Sequence, residues 1–411
     1  MSAVPSREDV LALDAADGLA RFRDAFRFDD PDVVYVDGNS LGRLPHATAA
    51  LLRELVDTWG SELVEAWEDW IDLPVRAGDA LGTALLGARP GETLVCDSVT
   101  VNLHKLTRAA LDGVEASRPV VAWRGDFPTD RYVVESLGRA VLWCDGTPEA
   151  AQVAALAAAR PALVLCSLVD YRSGALADLA GVTAAAHDAG ARVLWDLSHA
   201  VGAVAVDLPA AGADLAVGCT YKYLCAGPGA PAFLWVREDL ADGLRSPLPG
   251  WFGQADQFAM GHGHVPATGV SRFLAGTPPI LALAAVEPGV ALLAEAGMDA
   301  VQAKGRALTA LAVELHDAWL EPLGFALGSP RDAARRGAHV ALRHPDAWPI
   351  CRALIERARV VPDFRAPDVV RLGFPALTTR FADVWDALDR LRALVVAGEH
   401  ERFAGAARRV T

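Results

Sequence analysis

Arg192-Val-Leu-Trp-Asp196-Leu-Ser-His199-Ala200, answered downstream by Leu215-Ala-Val-Gly-Cys-Thr220-Tyr-Lys222-Tyr-Leu224, decides how this chain folds. After Arg192 in the first run, each is a series of consecutive apolar residues that leave no polar face, as a strand covered by helices on both sides must, and then breaks into residues bearing charge or hydroxyls. In an open α/β sheet ligands bind beyond the carboxyl ends of the strands, so Asp196 and Lys222 are placed to look into one crevice.

The pattern extends outward. Thr93 to Cys96, Val120 to Trp123, Ala162 to Ser167 and Ala232 to Val236 are also short and almost continuously apolar, with Ala- and Leu-rich stretches of helical period between them. That alternation predicts strand-helix-strand units, an α/β fold class and a large domain built on a mainly parallel sheet. Expected helices are Pro45 to Trp59, whose Leu51, Leu52, Leu55, Val56 and Trp59 share a face, then Asn102 to Leu111 and Glu149 to Arg160. Later come helices at Val290 to Ala296 and Leu308 to Trp319, strand Ala338 to Arg343, helix Ile350 to Ala358, strand Val369 to Leu372 and a helix over Phe381 to Val396. These read as a smaller α+β C-terminal domain. The expected organisation is an N-terminal arm over 1–44, a large domain over 45–285 and a small domain over 286–411, hinged in the Pro-rich stretch Pro278 to Pro288.

The formal net charge of −14, from 38 Lys and Arg against 52 Asp and Glu, repels polyanions and anionic membrane surfaces. No stretch is long and uncharged enough to span a bilayer, and Met1 to Asp9 lacks a basic patch followed by an apolar run. The expectation is a cytoplasmic protein with neither nucleic-acid nor membrane partners. Six cysteines, at 96, 144, 166, 219, 225 and 351, form no C-x-x-C pair, and most sit in apolar runs where a reduced thiol is a small core residue. Met260-Gly-His-Gly-His264 offers two histidines without a third ligand and reads as a Gly-rich loop, so no metal site is expected.

A lysine that is to bond an aldehyde must be deprotonated part of the time, which burial encourages, and an aspartate in the same crevice can keep a pyridinium nitrogen protonated. Lys222 and Asp196 fit those tasks, with Cys225-Ala-Gly-Pro-Gly229 supplying a tight turn beside them. Alone, Asp196 also reads as a helix cap and Lys222 as a solvated loop residue. It is their combination at two strand ends that singles them out.

With Asp37-Gly-Asn-Ser-Leu-Gly42, Asp97-Ser-Val-Thr-Val-Asn-Leu-His104, Asp126-Phe-Pro-Thr-Asp130, Asp196-Leu-Ser-His199, Thr220-Tyr-Lys-Tyr-Leu224, Gly250-Trp-Phe-Gly253, Phe273-Leu-Ala-Gly-Thr-Pro-Pro279 and Pro362-Asp-Phe-Arg…Arg371 in order, the chain resembles the kynureninases over nearly its whole length. That family belongs to the aspartate aminotransferase fold group. The resemblance implies pyridoxal 5′-phosphate (PLP) as cofactor, bonded to Lys222, and hydrolysis of L-kynurenine or its 3-hydroxylated form to anthranilate or 3-hydroxyanthranilate and L-alanine in tryptophan degradation.

It further implies that Val99 and Thr100 hold the phosphate at a helix start with help from Tyr221. Phe127, within Phe127-Pro128-Thr129-Asp130, stacks on the ring, and Ser167, Asp196 and His199 line the site. Asn39, Ser40 and Arg371 meet the amino-acid substrate, Arg371 gripping its carboxylate. Lys222, Tyr221 and Asp196 carry the chemistry. Trp251 and Thr277 reach the site from a second subunit, which implies a homodimer with shared sites. Trp59, Trp67 and Trp70 read as packing residues, although a family segment near Trp67 to Pro74 approaches the substrate ring.

The chain departs from the family at Ser167-Leu-Val-Asp-Tyr171, where many bacterial relatives read Thr-His-Val-Asn-Tyr, and at Phe374-Pro-Ala-Leu-Thr378, whose counterpart usually ends in Tyr. Thr277 replaces an Asn of relatives favouring the 3-hydroxylated substrate and tilts the expectation toward unsubstituted kynurenine. Three alternatives stand beside this reading: a relative acting on a modified kynurenine, a cysteine desulfurase or selenocysteine lyase, and a cofactor-binding protein without lyase activity. The second needs a nucleophilic thiol on a loop of the small-domain half, where only Cys351 is found, inside an expected helix.

Overall fold

The computed structural model describes residues 4–405, so the first three residues of the expected arm and the last six of the expected small domain lie outside the described residues. A two-residue strand β1 (Val34–Tyr35) precedes a seven-stranded sheet of β2 (Thr93–Val95), β3 (Val120–Trp123), β4 (Val141–Cys144), β5 (Leu163–Ser167), β6 (Arg192–Asp196), β7 (Leu215–Gly218) and β8 (Phe233–Val236). Their order across the sheet is β2-β8-β7-β6-β5-β3-β4. Only β8 runs against its neighbours, so the sheet is mainly parallel.

The predicted strands are found to within a residue or two, because buried strands are apolar on both faces. Trp123, Trp195 and Trp235 lie fully inside, and each indole N–H finds an acceptor, on Gln152 at 3.1 Å, Thr183 at 3.1 Å and Glu92 at 3.3 Å. The edge strand β4 had no counterpart among the expected strands. Glu149 to Arg160, expected as one helix, is a helix over Ala150–Ala155 followed by a 3₁₀ turn over Ala157–Ala159. Pro161 disfavours right-handed helical backbone at Arg160, which takes φ 50°.

The C-terminal half forms an antiparallel sheet in the order β12-β13-β10-β9, from β9 (Ala326–Leu327), β10 (His339–Arg343), β12 (Asp363–Arg365) and β13 (Val369–Gly373). A separate strand, β11 (Val360–Val361), pairs in parallel with β1 and ties the N-terminal arm to this lobe. Val10, Val34 and Val36 pack into the same core as Leu308, Leu372 and Leu388, whereas Leu19, Phe22 and Phe26 pack under the large sheet. The arm therefore joins two cores. The chain passes from one core to the other along the helix Met298–Leu315, with Val301 in the first and Leu308 in the second.

Two expectations take a different form. Pro278 to Pro288, the expected hinge, is helical: it carries Ile280–Ala284 and the start of Val286–Ala296, with Pro288 in a first turn where the N–H it lacks has no intrahelical acceptor. The apolar face predicted for Pro45 to Trp59 does lie on a helix, His46–Glu62, but Val56 and Trp59 are 50% and 57% exposed. Among the described residues no single helix is long and apolar enough to cross a membrane.

Candidate active site

Because β8 is reversed, its start lies at the same sheet edge as the carboxyl ends of the other strands. The loops after β2, β3, β5, β6 and β7, together with the entry to β8, enclose a cavity of about 440 Å³. They contribute Val99 and Thr100, Phe127 and Thr129, Ser167 and Tyr171, Asp196 and His199, Tyr221 and Lys222, and Gly229 to Ala232. Ser40 and Arg365 close it from the arm and the small sheet. Gly42 permits this closure: its N–H donates to the Tyr221 carbonyl at 2.8 Å, and a Cβ there would collide with the Lys222 carbonyl.

At one end, Ser98 caps the helix Val99–Leu111, its hydroxyl accepting from Val101 N–H, so the first free N–H groups and the positive end of the helix dipole face the cavity. That end is built to hold an anion. Beneath it Lys105, fully buried, pairs with Asp97 and donates to the Phe273 carbonyl at 2.5 Å. The lysine neutralises a carboxylate that would otherwise oppose an anion.

At the other end three carboxyl groups gather. Asp196 is buried, with Oδ1 accepting from Ser198 N–H at 2.7 Å. Burial pushes Asp126 up to about 7, against the Ser167 hydrogen bond that lowers it and with neighbouring Asp196 adding to the rise. Burial, then Asp196 and Asp126, raise Asp130 well above the ordinary carboxyl value. Both Asp130 oxygens and Oδ2 of Asp126 lack a hydrogen-bond partner among the described residues.

Between the ends lies Lys222, its Nζ 3.2 Å from Nε2 of His199. Burial lowers the pKa of its amine, only partly offset by Cys219 and Asp196. Burial also drives His199 well below the ordinary imidazole value, helped by Lys222 and Arg371, so the ring is neutral. Lys222 Nζ also lies 3.4 Å from Nδ1 of the same ring, and Arg371 Nη1 lies 3.4 Å from Nε2. Burial raises the Tyr221 hydroxyl, which stays protonated.

Behind this row the small sheet supplies an ion network. Asp363 on β12 lies directly opposite Arg371 on β13, and Arg365 is two residues along from Asp363 on the same face. Burial opposes ionisation of Asp363, but Arg371, Arg365 and Ser40 outweigh it and hold the carboxyl below its ordinary value. Burial and the Asp363 charge push neighbouring Asp37 the other way, to about 7.

Of the residues singled out in the sequence, Ser40, Val99, Thr100, Phe127, Thr129, Ser167, Asp196, His199, Tyr221 and Lys222 meet in the cavity. Asp130 is buried beside Asp196, Pro128 starts the helix Pro128–Glu135, and Asn39 is packed against Gly373, where a Cβ would strike its side chain. Arg371 is fully buried and lines no part of the cavity. Trp251 is 40% exposed and Thr277 is exposed, both outside the cavity walls of their own chain.

The departures at Leu168, Asp170 and Thr378 also lie off the cavity wall: Leu168 is core, Asp170 caps its own turn through Ser173, and Thr378 packs against Pro375. Trp67 and Trp70 pack edge to face at 6.0 Å, and His262 and His264 are exposed. Cys351 is buried in the helix Ala347–Ala353 with its thiol pushed well up by burial, unsuited to act as a desulfurase nucleophile.

Sequence reasoning did not single out Arg365, Tyr171, Asp97 or Asp363. The signal for Arg365 and Asp363 was available: alternate positions of a short strand next to a charged partner strand share a face.

Two family models match the chain: the kynureninase C-terminal domain over residues 301–391 and aminotransferase class-V over residues 139–340. The kynureninase of Pseudomonas fluorescens is 42% identical over 400 residues, covering 94% of each chain. That of Burkholderia pseudomallei (strain 1106a) is 40% identical over 403 residues, covering 95% of each. Among solved structures, the apo cysteine desulfurase from Thermococcus onnurineus NA1 superposes with a TM-score of 0.77 at 16% identity, covering 97% of this chain and 100% of that one. A C-DES mutant with glycine covalently linked to the PLP cofactor gives 0.79 at 16%, covering 94% and 99%. The likeness to these two structures is one of fold.

Proposed function

The chain belongs to the kynureninase family, and from that premise we propose that its cavity hydrolyses L-kynurenine to anthranilate and L-alanine. The fold is that of the class-V, fold-type I PLP enzymes, and the protein is a PLP-dependent hydrolase.

The residues present fit PLP. An anion-holding helix start, a buried amine of depressed pKa and a buried carboxylate follow one another along the cavity, with the half-exposed Phe127 ring on its wall. This succession, centred on Lys222, is the observation that carries the proposal. Val99, Thr100 and Tyr221 would hold the phosphate, Phe127 would pack on the ring, and Ser167, Thr129 and Asp130 would border it.

When bound, the cofactor supplies an electron sink for the charge left by loss of the substrate α-proton. Asp196 would keep the pyridine nitrogen protonated. Lys222 would take the α-proton, and neutral His199 would accept a hydrogen bond from the ammonium so formed. The protonated Tyr221 hydroxyl donates to the γ-carbonyl oxygen as water adds there. Ser40 would line the wall toward the amino-acid end of the substrate, with Arg371 donating to its hydroxyl from behind and Asn39 packed against Gly373. Hydrolysis leaves the water oxygen on the γ-carbon, released as anthranilate, and a proton on Cβ, released as alanine.

Trp251 and Thr277, exposed on their own chain, suit a homodimer in which each copy completes the other's site, and Thr277 favours the unsubstituted ring. A cytoplasmic setting agrees with the reduced, buried cysteines. The test is incubation of the PLP-loaded protein with L-kynurenine and with 3-hydroxykynurenine, following the fluorescent aromatic product and alanine. Neither product from either substrate rejects the function.

A further inference from the structure

Outside the catalytic cavity, a second concavity of about 800 Å³ opens between the N-terminal residues Arg23 to Asp29, the helix His46–Glu62 and Arg380, which precedes the helix Phe381–Val396. Four arginines, Arg23, Arg27, Arg53 and Arg380, stand on its wall, and the proposed reaction uses none of them.

Their charge is poorly answered. Arg23 and Arg380 share one carboxylate, Asp383, at 3.1 and 2.7 Å. Phe28, also on the wall, carries two guanidinium groups, Arg23 at 3.9 Å and Arg43 at 4.2 Å from the ring centroid. Arg43 has no ion pair among the described residues, and burial followed by the Arg23 charge lowers its pKa. Burial lowers Arg23 as well, with Asp383 opposing and Arg380 adding to the fall. At the rim, exposed Arg53 has no ion pair among the described residues, and Arg27 meets only the exposed Asp29, at 2.6 Å. Asp24 lines the wall but is exposed, and Asp14 is turned to the N–H groups of Phe381 and Ala382, at 2.7 and 3.0 Å. Cations therefore outnumber the carboxylates that answer them, in a chain whose net charge is −14. Crowded like charges of this kind raise the local potential and attract an anion.

We propose that this concavity binds a phosphorylated small molecule, its phosphate held by Arg27 and Arg53 at the rim and by Arg23 and Arg380 within. Guanidinium groups converging from separate elements suit a tetrahedral, multiply charged group, whereas a single fork already satisfies a planar carboxylate. The first turn of the helix His46–Glu62, which no side chain caps, puts His46 on the same wall and adds its free N–H groups. The site goes beyond the proposed function and does not depend on it.

The probe is pyrophosphate, titrated by calorimetry into protein loaded with PLP and freed of excess, so that the cofactor fills the anion end of the catalytic cavity. The wild-type protein should bind it, and Arg27→Gln/Arg53→Gln should bind about 10- to 100-fold more weakly, the worth of charge-assisted contacts. Both side chains are exposed, so this variant should fold and keep the cofactor's visible absorption. Arg89→Gln/Arg245→Gln removes the same charge at positions 77% and 83% exposed and off this wall, and should bind like the wild type. No binding by the wild-type protein, two double variants that do not differ, or citrate binding as tightly as pyrophosphate overturns the proposal.

Discussion

Nζ of Lys222 lies 3.2 Å from Nε2 of a His199 ring that burial and neighbouring cations keep neutral. The imidazole is thus an acceptor for the ammonium form of the lysine. His199→Phe removes that acceptor and disfavours the charged amine, so the pKa of Lys222, already lowered by burial, falls further. The acid limb of kcat against pH is expected to move to lower pH, and kcat to drop about 10- to 100-fold as the amine loses its alignment. A limb that moves to higher pH would refute this arrangement.

The pH dependence of stability in the cofactor-free protein should carry two opposite slopes. Asp126 is raised from 3.8 to about 7, so between those values the folded state holds a proton that the unfolded chain releases. Stability therefore falls as pH rises through that window, by about 1.4 kcal/mol per unit from this group. Asp126→Asn removes the slope and should raise the melting temperature more at pH 8 than at pH 5. His339 acts in the other sense: burial lowers it from 6.5 to about 3, so the unfolded chain is protonated first as pH falls. Stability is lost from pH 6.5 downward, and His339→Asn should flatten that side of the curve. Melting curves of the two variants with slopes like the wild type would contradict both assignments.

Lys105 offers a test at the anion end. Replacing it with Met leaves Asp97 uncompensated at the cavity wall, at a cost of about 1 to 3 kcal/mol for breaking a partly buried pair. PLP affinity should fall with it, since the bare carboxylate opposes the phosphate. Asp97→Asn added to Lys105→Met should restore much of both. Titration of the cofactor-free protein with PLP and urea unfolding of the single and double variants give the comparison; a double variant no better than the single one would count against a charge-balancing role.

What could be read in advance follows from burial. Strands β5 to β8 are apolar on both faces, so their runs stand out in sequence, and the residues just past β6 and β7 inherit their position at the cavity edge. Strand β4 escaped because it is an edge strand with three half-buried residues, a weaker pattern. The passage between cores escaped because it falls within the helix Met298–Leu315, both halves of which have helical period. The placement of Arg365 on one face with Asp363 was legible, but its hydrogen-bonding state was not. Its neighbour Arg371 is the more fully buried cation, and nothing in a linear sequence tells a committed guanidinium from one with donors to spare.

The end of the helix His46–Glu62, where Trp59 is exposed although Leu51 and Leu55 pack on the core, leads to the last prediction. Trp59, Leu63 and Val64 are 57%, 63% and 75% exposed, and with Trp67, Trp70 and Ile280 they surround a concavity of about 650 Å³. An apolar patch of this kind is rare on a chain that works alone. Pro279, which also lines it, lies two residues after Thr277, a residue proposed to serve the partner's site. Covering the patch with a second copy would account for both. Val64→Asp then buries an unpaired charge in the contact, weakening association by about 3 kcal/mol, roughly 100-fold in the dimer dissociation constant. Sedimentation should show monomers appearing at concentrations where the wild-type protein is dimeric, with kynurenine turnover falling in the same concentration range. A variant as dimeric and as active as the wild type, or a wild-type monomer with full turnover, would separate this face from the site.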